Sequence, residues 1–219
     1  MNTNIFWLRT FGIFGILGGL TLFAGDMLFY YNSESINIAE NMGNVSDARI
    51  IASGVSAFFA TLFYLLGLGQ IYYAFKPSPK KIRNIVLISF ASLLVLYGVV
   101  HGAYVGIATS AKLAVQNNLD ITKSTALALK TNNTLRLFGY PIFLVLSIYF
   151  LSQVWKGNTL YPKWIIFFFP LIPFIIQFIL AEFLTGTARL IILGGYLNLI
   201  LVLFFFASTI ALWNKEIES

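Results

Sequence analysis

The chain contains no cysteine and a single histidine. The first absence excludes disulfides, thiolate metal centres, cysteine nucleophiles and thioether-linked haem. The second excludes bis-histidine haem and histidine-rich zinc sites. Charge is also scarce: Asp, Glu, Lys and Arg make up 10% of the 219 residues, against about 25% in soluble domains. No Walker A, G-x-S-x-G, H-E-x-x-H or G-x-G-x-x-G signature occurs, so no nucleotide, hydrolase or metalloprotease motif is on offer. No lysine falls inside an apolar run, which argues against a retinal Schiff base. No repeat with a period of 20 to 50 residues is visible.

What is present is apolar: 58% hydrophobic and 17% aromatic residues, with a mean hydropathy of +0.83. Such a chain cannot hide its apolar side chains in one water-soluble core, and its expected partner is the lipid bilayer. The net charge of +6 does not form a dense basic face, so no nucleic-acid partner is expected. A hydrocarbon core about 30 Å thick needs roughly 20 apolar residues per helix. Six runs of that order appear, at 5–31, 50–75, 84–111, 137–155, 164–181 and 190–214. Open sheets leave backbone groups unpaired in lipid, and the alternation of a membrane barrel is absent. The reading is an all-α, polytopic transmembrane bundle of six helices forming one integral membrane domain over 1–219. The first run is long for a signal-peptide core and no A-x-A-like site follows it, so it is expected to remain as a helix.

Lys and Arg set the orientation. The connections at 76–83 and 156–163 hold six basic residues and no acid. With both chain ends added, that side carries eight Lys or Arg in 30 residues, against six in 51 across 32–49, 112–136 and 182–189. The excess predicts that both termini are cytoplasmic.

Glycine and proline predict how the helices meet. Gly98, Gly102 and Gly106 repeat at four-residue spacing in the third run, as do Gly15 and Gly19 in the first. Small residues at that spacing allow close backbone approach, which predicts contact between the first and third runs. Pro170 and Pro173 interrupt the fifth run and predict a kink there. Pro141 reads as a helix-entry residue. The long polar stretch at 112–136 is expected to be a loop carrying a short surface helix around 124–130.

The ionisable residues within or beside the runs form the candidate site. In the predicted topology Asp26, His101, Arg136, Glu182 and Arg189 all fall in the outer half. An aspartate near the middle of a span costs about 2.5–3.5 kcal/mol, so Asp26 should be partnered or wet. Tyr30 lies one turn from Asp26, and Tyr97 and Tyr104 lie one turn either side of His101. These eight residues, Asp26, Tyr30, Tyr97, His101, Tyr104, Arg136, Glu182 and Arg189, are the candidate ligand-binding set. For Glu182 and Arg189 the competing reading is an interfacial pair that closes a tight hairpin. His101, Asp26 and Glu182 are too few to hold a metal, and no metal or other cofactor is expected. Ser53, Ser56 and Thr109 share the outer half, but no base and orienting group can be assigned to them.

The segments GDMLFYY, HGAY around His101, the paired prolines and GGYLNL at 194–199 resemble those of an uncharacterised family of six-helix bacterial integral membrane proteins. The resemblance covers most of the chain and implies a protein of the bacterial cytoplasmic membrane, with no assigned activity. Three functional readings stay open. The first is an outward-facing polar pocket that binds or helps transport a small polar molecule or lipid headgroup. Six helices are few for a complete carrier, so a homodimer or partner subunit belongs to that reading. The second is an intramembrane lipid-modifying enzyme with His101 and Asp26 as an acid-base pair. The third is an accessory subunit whose charges pin helices.

Overall fold

The computed structural model describes residues 3–32 and 37–215. The described residues form α-helices, one 3-10 helix and connecting turns, with no strand. In chain order they are α1 (Thr3–Tyr30), α2 (Ile38–Asn44), α3 (Asp47–Ala74), α4 (Lys80–Gln116), α5 (Ile121–Leu137), α6 (Gly139–Trp155), the 3-10 helix Lys163–Phe168, α7 (Leu171–Phe183), α8 (Gly186–Gly194) and α9 (Tyr196–Leu212).

Four stretches are long and apolar enough to cross a membrane: Ile5–Tyr30, Asp47–Ala74, Lys80–Gln116 and Ile121–Trp155. A fifth is the pair α8 and α9, bent by 62° at Gly195. The run predicted at 164–181 is broken more deeply than a kink. Pro170 ends the 3-10 helix and starts α7, which has 13 residues and so is about 20 Å long. Proline cannot donate the backbone hydrogen bond a continuous helix needs at that point, which accounts for the break. Large apolar side chains point outward along the long helices, among them Phe58, Ile88 and Leu144, each more than 60% exposed. A surface of that kind suits hydrocarbon and not water.

The polar stretch 112–136 is helical for most of its length. α4 runs to Gln116, and Asn118 takes a left-handed backbone conformation (φ 54°). Leu119 N bonds back to Ala114 O and Asn118 N to Val115 O, which satisfies the last carbonyls of α4. Asp120 then caps α5 by accepting from Lys123 N. The expected surface helix therefore spans 121–137, well beyond 124–130, and α5 leads almost directly into α6.

Helix packing corrects the glycine expectation. α1 packs along α3 and α9 and meets α4 in few places. Gly67 of α3 lies against the backbone of Gly15, and Gly19 faces Val202 and the Asn198 carbonyl of α9. On α4, Gly98 faces Thr61 of α3, while Gly102 and Gly106 have no atom within reach of an added Cβ. The four-residue spacing marks close approach of α1 to α3 and α9; it does not join the first and third predicted spans.

The two ends of the bundle differ. Arg9 at the start of α1 donates to Trp213 O and Asn214 at the end of α9, and Ser78 donates to Asn158 O. Both described chain ends and the two basic connections thus share one end. The core beneath that end is filled by aromatic rings, with Phe150 stacked on Phe169 at 4.4 Å and Phe204 edge-on to both. The opposite half holds a smaller apolar cluster around Phe29, Met42 and Ile107 and a cavity.

Candidate functional site

Asp26 lies near the end of α1, 7% exposed, and both its carboxylate oxygens are occupied. Oδ1 is 3.0 Å from His101 Nδ1 on α4, and Oδ2 accepts from Asn198 Nδ2 on α9 at 2.6 Å. The bend between α8 and α9 puts Asn198 in the first turn of α9, facing α1. His101 is 3% exposed, and the ring of Phe29 packs on it at 5.2 Å. Its second nitrogen, Nε2, is 3.0 Å from Ser53 Oγ and 3.2 Å from Ser53 O.

Hydrogen-bond accounting assigns the tautomer. Ser53 has one hydroxyl proton and donates it to Gly25 O at 2.6 Å. Ser53 Oγ and Ser53 O are then both acceptors toward Nε2, so Nε2 carries a hydrogen and donates. The Nδ1–Oδ1 contact is a hydrogen bond whose proton lies between the ring and the carboxyl.

The atom order Ser53 Oγ, His101 Nε2, His101 Nδ1, Asp26 Oδ1 is the order of a serine-hydrolase triad. The serine does not serve as a nucleophile in this arrangement: its proton is committed to Gly25, it is fully buried, and it is not among the cavity-lining residues. Nor does His101 have a nitrogen free for an external substrate.

Beside this network lies a cavity of about 580 Å³ between α1, α4, α6, α7 and the α8–α9 bend. Six of the eight candidates line it: Asp26, Tyr30, Tyr97, His101, Tyr104 and Arg136. Tyr30 donates its hydroxyl to Gly194 O at the bend, where the interrupted helix leaves a carbonyl available. Arg136 donates through Nη2 to the Tyr104 hydroxyl, and its guanidinium lies 5.4 Å from the centre of that ring. Among the described residues no carboxylate is within ion-pair distance of Arg136. The other two candidates are elsewhere. Glu182 is exposed, and Arg189 donates to Ala181 O and Leu184 O, closing the α7–α8 turn through backbone carbonyls and not through Glu182. No three of His, Asp and Glu gather among the described residues.

Sequence reasoning missed Asn198 and Gln177, which also line the cavity, and the part played by Ser53. None of the three carries an ionisable side chain. An amide inside an apolar run is a comparable signal, because its donors and acceptors also need partners away from water.

A family of unknown function (DUF6796) matches residues 1–215. The chain belongs to that family. No curated protein and no solved structure matches it.

Proposed function

We propose that this chain is a six-pass protein of the bacterial cytoplasmic membrane, with both termini inside, whose outer half binds a small molecule or lipid headgroup in the cavity beside Asp26 and His101. On this reading, the 3-10 helix with α7 makes a fifth, broken pass and α8 with α9 a sixth, bent one. The shared end of the two chain termini supports an even number of crossings, and the basic residues at that end support the orientation.

The observation that carries the binding reading is the cavity itself. Its volume of about 580 Å³ lies within the roughly 300–1,000 Å³ of small-molecule sites, and its walls are mainly apolar with a few polar groups converging on one region. The occupied nitrogens of His101 weaken the acid-base enzyme reading, since a general base must reach its proton directly or through one water.

Native mass spectrometry of the detergent-purified protein tests this, with wild type beside Asp26→Asn and His101→Ala. Retention of a small molecule or lipid by folded wild type, and its reduction in both folded variants, is the expected result. Equal retention in all three, or none in any, would favour an accessory subunit in which the buried pair only pins α1 to α4.

A further inference from the structure

We infer that the cavity takes an amphiphile with an anionic head, a phosphate or carboxylate group seated on Arg136 and Tyr104, whose chain leaves the protein between α6 and α7. This rests on the binding reading above and names its ligand class.

Charge accounting is the first ground. Asp26 and His101 face each other, and their remaining polar atoms are engaged by Asn198 and Ser53. Among the described residues Arg136 is the remaining charged residue on the cavity wall and has no acidic partner. A guanidinium presents five N–H donors in a planar fork suited to phosphate and carboxylate. One of them goes to Tyr104. The site is exposed at that end, so an anion can reach it without unfolding anything.

Shape is the second ground. Away from Arg136 the walls become apolar, with Leu93, Val100, Phe143, Phe174 and Leu197. A freely soluble anion would gain nothing from that surface, whereas an alkyl chain would be stabilised along its length.

The third ground is the gap between α6 and α7. Phe143 of α6 packs on Phe169, just before α7, and on Phe174 of α7, at 6.2 and 6.1 Å between ring centres. Beyond that point Tyr140 and Phe178, both more than half exposed, flank the cavity from opposite helices. The outer faces beside the gap carry exposed Leu144, Ile148, Ile175 and Ile179, the kind of surface that meets hydrocarbon. A chain emerging there enters lipid and not water.

The test uses the full-length protein in nanodiscs of phosphatidylcholine containing a minority of phosphatidylglycerol, with retained lipids counted by native mass spectrometry. Wild type should keep phosphatidylglycerol about tenfold or more above its share, the size expected for charge-assisted hydrogen bonds to a guanidinium. Arg136→Gln should reduce retention to the lipid's share, and Arg136→Lys should restore part of it. Because Arg136 is exposed, both variants should fold, which gel filtration and circular dichroism would verify. Undiminished enrichment in Arg136→Gln would overturn the assignment of the head to Arg136. Equal retention of phosphatidylcholine would overturn the anionic head and leave the binding reading standing. No retained lipid in any sample would remove both. Complete displacement of phosphatidylglycerol by millimolar inorganic phosphate would overturn the role given to the chain.

Discussion

Asn198 Nδ2 lies 2.6 Å from Asp26 Oδ2, joining residues 172 positions apart. With His101 on the other oxygen, the amide leaves the carboxylate no unpaired face. It also ties α1 to α9 beside the α8–α9 bend, where the Tyr30 hydroxyl donates to Gly194 O and the Tyr196 hydroxyl to Pro173 O.

Loss of either partner should be felt, and felt jointly. Asn198→Leu and Asp26→Leu are each expected to cost about 1–3 kcal/mol, because each leaves a buried polar group short of a partner. The double variant should cost less than the sum by about 0.5–3 kcal/mol. Reversible unfolding in mild detergent measures this, and strictly additive effects would show that the two groups are not coupled.

The glycines separate by position. Gly15→Ala should destabilise strongly, since its Cβ would run into the Phe205 ring, and Gly195→Ala likewise against Phe23. Gly102→Ala meets nothing within 4 Å and should stabilise α4 by about 0.5–1 kcal/mol through helix propensity. Thermal midpoints of the three variants would decide; a loss for Gly102→Ala would mean that a partner covers this face of α4.

A second polar network supplies a control for the cavity. Gln70 donates to Leu8 O at 3.1 Å and to Thr209 at 3.3 Å, and accepts from Ser208 at 2.5 Å; Ser208 in turn pairs with Tyr161 at 2.7 Å. Gln70→Leu should cost about 1–3 kcal/mol by removing the acceptor of the buried Ser208 hydroxyl and the amide bonds to Leu8 O and Thr209. Since Gln70 lies near the chain ends and away from the cavity, lipid retention measured as above should not change.

Topology can be read on a clean background, because the chain has no cysteine. Asn158→Cys should react with a membrane-impermeant maleimide only in inverted vesicles, and Asn117→Cys only in intact spheroplasts. Labelling of both from the same side would contradict an odd number of crossings between them.

Much of the fold was legible along the chain. The charge-free runs mark the long helices, Pro170 marks the break before α7, and the positions of Asp26 and His101 in their runs placed them in the same half of the bundle. The turn at Asn117–Asp120 was also legible, as an asparagine able to take a left-handed conformation followed by an N-cap aspartate. The polarity of 112–136 masks it, since a solvated helix and a loop share that composition. Asn198 and Ser53 were missed because their roles depend on what lies opposite them.

The tetrapeptide ILGG shows where sequence stops deciding. At 16–19 it continues through α1 without interruption, and at 192–195 it ends α8 at a 62° bend. Composition and run length by themselves determined a chain of apolar helices suited to lipid, because backbone groups in hydrocarbon must bond within their own segment. Only the tertiary structure decided which glycines bring helices together, that Asp26 is held by both His101 and Asn198, and that Arg136 is left facing a cavity. Those outcomes depend on which side chains face one another across helices, and no local property of the sequence encodes that pairing.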